Sequence, residues 1–362
     1  MKLSLLTKPL RLYEIDLLRF LAALSVVVFH YTYRGYAADH YSSLPFLELG
    51  RYTRYGYLGV ELFFIISVYV VLLSAKGKTV RQFFVSRLVR LYPAFWVACT
   101  LTFLVKRLWG TTPGDAYMPA VLHAGFGQYL CNMTMLEEFL GIAPLDGAYW
   151  SLTVEIAFYF LVSLLLSYRL MRYVEWFVAG WLLYAILLVL PHANTPFAAL
   201  FFPSYAPYFA AGIIFYRRQQ VPDRALTHYT LLAFAYLAAI HSSLRKATEM
   251  GQHYHDEFVA WVIVAIITLF FAVFFFITTR HINLSHYSWL AGLGALTYPL
   301  YLIHSDIGFV TFHRLAGAIN KYVLVGSTLL VMLVIAHLIH VLAEKRFSRV
   351  FRVWVNKCLP AP

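Results

Sequence analysis

The sequence predicts an all-α fold, a polytopic membrane bundle of about ten transmembrane helices. Three observations carry this prediction: the composition, the number of long apolar runs and the distribution of Lys and Arg. Of 362 residues, 61% are hydrophobic and 13% are charged, whereas soluble domains carry about 25% charged residues. A water-soluble surface could not cover so much apolar side chain. We therefore expect one membrane domain, residues 1–362.

The apolar runs place the helices, because about 20 apolar residues cross the hydrocarbon core. The seventh run is the shortest and weakest. The longest connection, 108–148, holds Gly, Pro and acidic residues and is expected to form a partly ordered cap. The predicted spans are 15–33, 56–75, 87–107, 149–168, 172–190, 199–216, 227–243, 257–279, 287–311 and 321–343.

The orientation follows from Lys and Arg, which concentrate in cytoplasmic segments. With the N-terminus inside, 19 of the 29 basic residues fall in inside segments, nine fall outside, and Arg19 lies within the first helix. An even helix count places the C-terminus inside as well, with 344–362 as a basic cytoplasmic tail. The same distribution explains the net charge of +12 without nucleic-acid binding. The first apolar run is too long for a cleavable signal peptide.

Charged groups inside a bilayer are costly, so each is a functional hypothesis. Arg19 and His30 in the first helix are separated by eleven positions. That spacing is about three turns plus 20°, which places both on one face about 16 Å apart. Arg19 is expected near the cytoplasmic end and His30 in the outer half.

Two carboxylates, Glu61 and Glu155, fall one to two turns inside helices that descend from the outside. They share the predicted depth of His30, and a carboxylate beside a neutral histidine is typical of a general base. This depth argument does not show that the helices touch. The open alternatives are a packing role for His30 and structural ion pairs of the carboxylates with Arg51 or Arg54.

Arg87 and Arg90 open the third helix at i, i+3 and therefore share a face. They lie level with Arg19, and guanidinium groups suit bidentate phosphate binding. The alternative for Arg87 and Arg90 is ordinary anchoring at the cytoplasmic surface, which explains the deeper Arg19 poorly.

No metal site is predicted. The run His253-Tyr254-His255-Asp256 lacks further ligands at the required spacing, and the three cysteines form no CxxC motif or disulfide framework. His304 is interpreted first as a core-packing histidine.

Five stretches now point to a family. They run from Tyr13-Glu-Ile-Asp-Leu-Leu-Arg19 to His30, and through Gly59-Val-Glu-Leu-Phe-Phe-Ile-Ile-Ser67, Arg87-Leu-Val-Arg-Leu-Tyr-Pro93, Trp150-Ser-Leu-Thr-Val-Glu155 and Tyr298-Pro-Leu-Tyr-Leu-Ile-His304. In order and spacing the sequence resembles the acyltransferase-3 family of bacterial membrane acyltransferases. The match is strong through residue 160, and the length fits the transmembrane domain alone.

The resemblance implies transfer of an acyl group, often acetyl, from cytoplasmic acyl-CoA to a hydroxyl of a cell-surface polysaccharide or lipid-linked glycan. It implies a bacterial inner-membrane enzyme in which Arg19 and His30 are required and position 61 is acidic. Within the matching blocks we assign substrate contacts to Tyr149, Trp150 and Ser67. One departure is Val68, where the family usually has Gly; Val68 is expected to displace helix two or narrow a substrate path.

The mechanistic hypothesis places acyl-CoA phosphates on Arg19, Arg87 and Arg90 and makes His30 the general base, oriented by Glu61 or Glu155. The rival from another class is a transporter or flippase for an anionic lipid or sugar, which intramembrane Arg, His and Glu would also suit. The acceptor, the acyl chain, an acyl-enzyme intermediate and the oligomeric state stay open.

Overall fold

The computed structural model describes residues 11–110, 122–188 and 197–359, and these residues form helices with no β-strand. The all-α prediction is confirmed. The α-helices are α1 Tyr13–Phe29, α2 Leu47–Thr53, α3 Gly59–Ala75, α4 Val80–Trp109, α5 Phe126–Asn132, α6 Trp150–Ser167, α7 Val174–Leu188, α8 Ala198–Phe201, α9 Ala206–Gln220, α10 Ala225–Tyr254, α11 Ala260–Thr278, α12 Leu290–Ile303, α13 Ser305–Leu315, α14 Lys321–Ile339 and α15 Ser348–Cys358.

Within the described ranges, seven helical segments are long and apolar enough to cross a membrane, and α12 is a shorter apolar helix. The chain is therefore a multi-pass membrane protein. Helices α9 and α10 occupy two further predicted spans, so the number ten and the cytoplasmic termini stay predictions. The seven segments are Tyr13–Ala38, Leu47–Ala75, Val80–Trp109, Trp150–Ser167, Leu170–Leu187, Ala260–Thr278 and Lys321–Cys358.

Helix α4 begins seven residues before the predicted start of the third span. Thr79 and Gln82 form a reciprocal capping box that satisfies the first free amides of the helix. Arg87 and Arg90 consequently lie two to three turns inside α4 rather than at its opening. Of the predicted cap over 108–148, residues 111–121 lie outside the described part, as do Lys2 and Lys8.

The predicted ninth span, 287–311, is two helices that meet at His304. Pro299 lacks the amide hydrogen needed for a regular helix. The His304 side chain then hydrogen-bonds the carbonyl of Tyr301 at 2.8 Å, the oxygen that the next amide of a continuous helix would take. The break between α12 and α13 places the His304 imidazole in the protein interior.

The predicted seventh span, 227–243, was too short. Helix α10 runs for 30 residues, because polar side chains near its end, such as Lys246, are paired inside the protein. Hydropathy alone undervalues such a segment. The predicted sixth span, 199–216, consists of two helices, α8 and α9.

Helix α1 packs most extensively against α12 and α3. The first turns of α1 and α4 and the last turn of α3 lie at one end of the bundle, which we call the arginine end after Arg19, Arg87 and Arg90. The opposite end, where α1 passes into the π-helical segment His30–Ala38, we call the histidine end.

Val68 does not displace its helix. It is fully buried and faces Gly212 of α9, where an added Cβ would lie 2.7 Å from the Val68 Cβ and 2.6 Å from the carbonyl of Ile65. The glycine that permits close approach therefore stands on the partner helix. Val68 does not line the arginine-lined cavity described below, so it does not narrow that cavity.

We predict that Gly212→Ala destabilises the protein by about 1–3 kcal/mol, the usual cost of overpacking. Gly180→Ala is the matched control, because nothing lies within 4 Å of its added Cβ. Thermal unfolding in detergent should show a lower midpoint for Gly212→Ala and partial recovery in Val68→Gly/Gly212→Ala. A Gly212→Ala midpoint equal to that of Gly180→Ala would contradict the packing described here.

Candidate active site

His30 opens the π-helical segment that continues α1. Such segments are rare and often occur at functional sites. The side chain is buried, with 4% of its surface exposed. Its neighbours come from the α12–α13 junction, so the site is assembled by helices far apart in sequence.

His30 and His304 form a direct hydrogen bond. The His30 Nδ1 lies 2.8 Å from the His304 Nε2, and the two ring planes are nearly parallel, with centroids 4.8 Å apart. The Tyr31 hydroxyl donates to the His304 carbonyl at 2.9 Å. These contacts fix both rings.

The hydrogen bonds assign the protons of the two neutral rings. The Tyr301 carbonyl can only accept, so His304 carries its proton on Nδ1 and presents a lone pair at Nε2. His30 must then donate from Nδ1, which leaves its Nε2 unprotonated. Arg34 approaches that nitrogen at 3.3 Å and is held by Asp39 at 2.5 Å. The His30 Nε2 is thus the unprotonated nitrogen of the ring, and its lone pair accepts from Arg34.

Neither predicted carboxylate contacts His30, so the expected orientation of His30 by Glu61 or Glu155 is wrong. Both ring nitrogens are taken by His304 and Arg34. Similar depth on two helices does not fix the direction in which each side chain points.

Glu61 forms a buried ion pair with Lys246 of α10 at 2.8 Å. The Lys246 ammonium also lies over the rings of Tyr57, Trp150 and Tyr205 at 5.1–5.6 Å. The alternative of a structural ion pair therefore describes Glu61, with Lys246 as the partner instead of Arg51 or Arg54. Arg54 is paired with Asp256 at 2.8 Å.

Glu155 accepts a hydrogen bond from Ser67, and Tyr159 lies within hydrogen-bonding reach of both Glu155 and Arg87. All four side chains line one large cavity. Glu155 therefore belongs with the arginines and not with the histidines.

This arginine cavity has about 770 Å³ of space including its open mouth. It collects the three predicted phosphate-binding residues and Ser67, and its lining carries three arginines against one carboxylate. Its residues are Arg19, Val60, Phe63, Phe64, Ser67, Val70, Val71, Arg87, Arg90, Leu91, Ser151, Leu152, Glu155, Tyr159, Tyr298 and Tyr301.

The three arginines differ in their own contacts. Arg19 makes no ion pair within the described chain and lies 6.0 Å from the Phe63 ring centroid. Arg87 donates to the Ser74 hydroxyl at 3.2 Å, and Arg90 pairs with Glu344 at 2.8 Å. Positive charge at Arg19 and Arg87 is thus left without a bound carboxylate, which favours an anionic ligand.

A second cleft lies beyond the arginine cavity, separated from it by aromatic rings. The Phe64 ring of the cavity packs 5.2 Å from Tyr205, and Trp150 packs 5.1 Å from Tyr205. Trp150 is therefore part of this partition, whereas Tyr149 is buried against Phe95. The cleft, of about 740 Å³ with its mouth, is lined by Ser204, Tyr205, Ser242, Arg245, Lys246, Glu249, Met250, His253 and Tyr254.

The histidine pair lines neither space, but neighbouring side chains connect it with both. On one side, Tyr301 lines the arginine cavity and its ring centroid is 5.6 Å from that of His304. On the other side, Tyr254 lines the cleft and interacts electrostatically with Arg34, which contacts His30.

A buried polar network holds the α12–α13 junction. Lys106 of α4 pairs with Asp306 at 2.7 Å and donates to the Leu145 carbonyl at 2.6 Å. Asp146 accepts the Asp306 amide at 3.0 Å. Burial and the nearby Asp306 raise the pKa of Asp146. This network fixes the turn next to His304.

Sequence reasoning missed His304 and Arg34 as partners of His30. His304 is the last residue of the stretch Tyr298–His304, which resembles a block of the family. Its place in that stretch is the sequence signal that could have identified it as a site residue. Arg34 was counted only among the outside loop charges, although it follows His30 by four positions, one helical turn.

Comparisons with known proteins identify the family of the chain. A family model described as an acyltransferase domain (Acyl_transf_3) matches residues 12–341. Acyltransferase MdmB of Streptomyces mycarofaciens is 29% identical over 55% of this chain and 49% of its own length. The putative peptidoglycan O-acetyltransferase YrhL of Bacillus subtilis is 27% identical over 40% of this chain and 22% of its own.

The chain thus spans about half of the first relative and about a fifth of the second. No solved structure matches.

We predict that Lys106→Met destabilises the protein by about 3–5 kcal/mol, because it leaves the Asp306 carboxylate buried without a partner. The double variant Lys106→Met/Asp306→Asn removes both charges and should recover much of that loss. Thermal unfolding in detergent measures both. A double variant no more stable than the single one would show that the ion pair does not hold this junction.

Proposed function

The chain belongs to the acyltransferase-3 family, and from this premise we propose that it is a membrane O-acyltransferase. It would move an acyl group from acyl-CoA to a hydroxyl of a cell-surface polysaccharide or lipid-linked glycan. The observation that carries the proposal is the buried, hydrogen-bonded histidine pair next to Tyr301, which lines a cavity with three arginines.

Acyl-CoA is the proposed ligand of the arginine cavity. Its phosphates suit guanidinium groups, and Arg19 and Arg87 have no carboxylate bound to them in the described chain. The pantetheine arm would extend past Phe63 and Ser67 toward Tyr301. The thioester would then stop beside His304 and His30.

The acceptor would enter through the second cleft. The cleft presents hydroxyl, aromatic and charged side chains, such as Ser242, Tyr205 and Lys246. These groups suit a polyhydroxylated compound, because sugar rings stack on tyrosine rings and form hydrogen bonds with polar groups. Substrates would thus arrive from opposite ends of the bundle, and the acyl group would cross much of the membrane during transfer.

The His30 Nε2 would take the proton of the acceptor hydroxyl as its oxygen attacks the thioester carbonyl carbon. The proton later passes to the CoA sulfur as the carbon–sulfur bond breaks. His304 stabilises the His30 cation by accepting from its Nδ1, the role often filled by a carboxylate. Glu155 lines the arginine cavity, and Glu61 pairs with Lys246.

Several finer assignments belong to this proposal. Acetyl is the favoured acyl group, since one relative is described as an O-acetyltransferase. We place the protein in a bacterial inner membrane with both termini cytoplasmic, so that the arginine end meets acyl-CoA. Family membership favours acyl transfer over the transporter alternative.

We predict that His30→Ala lowers acyl transfer by about 10²–10⁴-fold, the usual contribution of a general base, and leaves CoA binding intact. The activity of His304→Ala should fall by a comparable factor. The double variant His30→Ala/His304→Ala should be little less active than His30→Ala, because the two rings act as a unit. Activity in membranes with radiolabelled acetyl-CoA and a glycan acceptor measures this, with exposed His286→Ala as control. Full activity in His30→Ala would exclude it as the base.

We predict that Arg19→Ala weakens CoA binding roughly 10–100-fold, since a charge-assisted hydrogen bond contributes about 1.5–3 kcal/mol. Arg172→Ala is the control, because Arg172 is an exposed arginine whose guanidinium stacks on Tyr173. Calorimetric titration of the purified protein with CoA measures both. An unchanged affinity in Arg19→Ala would exclude Arg19 from the phosphate site.

A further inference from the structure

An apolar groove runs along α1, between this helix and α11. Helix α11 packs chiefly on α9 and α10, and a space of about 1290 Å³, including its open side, lies between α11 and α1. We call this space the α1–α11 groove. On α1 it follows Leu18, Leu21, Ser25 and Val28, which lie on one helix face and span about 15 Å.

The chemistry of the groove suits a hydrocarbon chain. Three of the seven segments that can cross a membrane form its walls and floor, so its open side meets the bilayer interior. No charged side chain of the described residues lines it, and the Ser25 hydroxyl already donates to the Ala22 carbonyl at 2.8 Å. The three segments are Tyr13–Ala38, Leu47–Ala75 and Ala260–Thr278.

Helix α2 connects this groove with a polar pocket at the histidine end. Tyr52 and Thr53 of α2 line the groove, whereas Arg51, directly before them, lines the pocket. The hydroxyl groups of Thr53 and of Thr32 in the pocket lie 2.8 Å apart in a hydrogen bond. The groove and this α2 pocket, of about 620 Å³ with its mouth, are therefore direct neighbours.

The α2 pocket has more positive than negative charge. Arg51 and Arg54 line it together with one carboxylate, Asp256. Asp256 already pairs with Arg54 at 2.8 Å and accepts from the Tyr33 hydroxyl at 2.9 Å. Within the described residues Arg51 has no ion pair or side-chain hydrogen bond, and the buried Nε of Arg54 has no acceptor. Phosphate oxygens are the acceptors that such guanidinium groups suit.

The α2 pocket also borders the second cleft. Asp256 of the pocket follows His253 and Tyr254 of the cleft by two to three positions. The ring of Tyr33, in the pocket, packs edge-on against the Tyr254 ring with centroids 6.3 Å apart. An apolar groove, a basic pocket and a polar cleft thus follow one another, in the order of chain, phosphate and sugar in a glycan carried on a lipid phosphate.

We propose that the α1–α11 groove and the α2 pocket bind the lipid carrier of the acceptor. The groove holds the hydrocarbon chain and the pocket holds the phosphate, which leaves the sugar in the second cleft. This inference rests on the proposed function, because it selects a lipid-linked glycan over a free polysaccharide as the acceptor.

The test measures the binding of a polyprenyl phosphate to the purified full-length protein in neutral detergent, by native mass spectrometry. Polyprenol, which lacks the phosphate, is titrated in parallel and should bind at least about tenfold more weakly. Arg51→Gln should weaken polyprenyl phosphate binding about tenfold, the effect of one charge-assisted hydrogen bond, and leave polyprenol binding unchanged. Arg172→Gln is the matched control, because Arg172 is exposed and lines neither space.

A second variant tests the groove. Leu269 lines the groove and is 58% exposed, so Leu269→Trp fills the space without entering the core. It should weaken polyprenyl phosphate and polyprenol alike. Leu330→Trp is its control, since Leu330 is 63% exposed on α14 and lies outside the groove. Wild-type affinity in both Arg51→Gln and Leu269→Trp would overturn the proposed site.

A membrane phospholipid is the rival occupant of the same spaces. If phosphatidylglycerol binds more tightly than polyprenyl phosphate, and the same two variants weaken it, the assignment to the lipid carrier of the acceptor is wrong. His30→Ala should bind polyprenyl phosphate like the wild type. Wild-type protein that binds polyprenyl phosphate at this site but transfers no acyl group would support the site and count against the proposed function itself.

Discussion

The hydrogen bond between His30 and His304 is the contact on which the site depends. It joins α1 to the α12–α13 junction, positions separated by 274 residues in the chain. Because the Tyr301 carbonyl fixes the proton of His304, the proton of His30 is fixed on Nδ1, and Nε2 accepts from Arg34. The broken ninth span, the buried Lys106–Asp306 pair and the π-helical turn at His30 all serve to hold these two rings together.

The second constraint is electrostatic. In a low-dielectric bundle an unpaired charge is costly unless a ligand or water neutralises it. The protein pairs most of its internal charges, as at Glu61–Lys246 and Arg90–Glu344, and leaves Arg19 without a carboxylate. The contrast separates groups that stabilise the fold from groups available to a substrate, and it distinguishes two carboxylates, Glu61 and Glu155, that looked equivalent in sequence.

The helix packing shows how a family departure is accommodated. Val68 replaces a glycine usual in the resembling family, and Gly212 on α9 supplies the space that Val68 occupies. In this chain the small residue at the close approach of α3 and α9 lies on α9. Single positions are therefore informative only together with the surface that they meet.

The sequence by itself determined the all-α class, the apolar spans and the set of chemically important residues, because hydropathy and motif spacing are local properties of the chain. It placed Arg19, Arg87 and Arg90 at one level, and they do line one cavity. It could not decide which side chain meets His30, because depth along a helix leaves its rotation and its neighbours undetermined. Only the tertiary structure chose His304 over Glu61 and Glu155, through a helix break that hydropathy does not register.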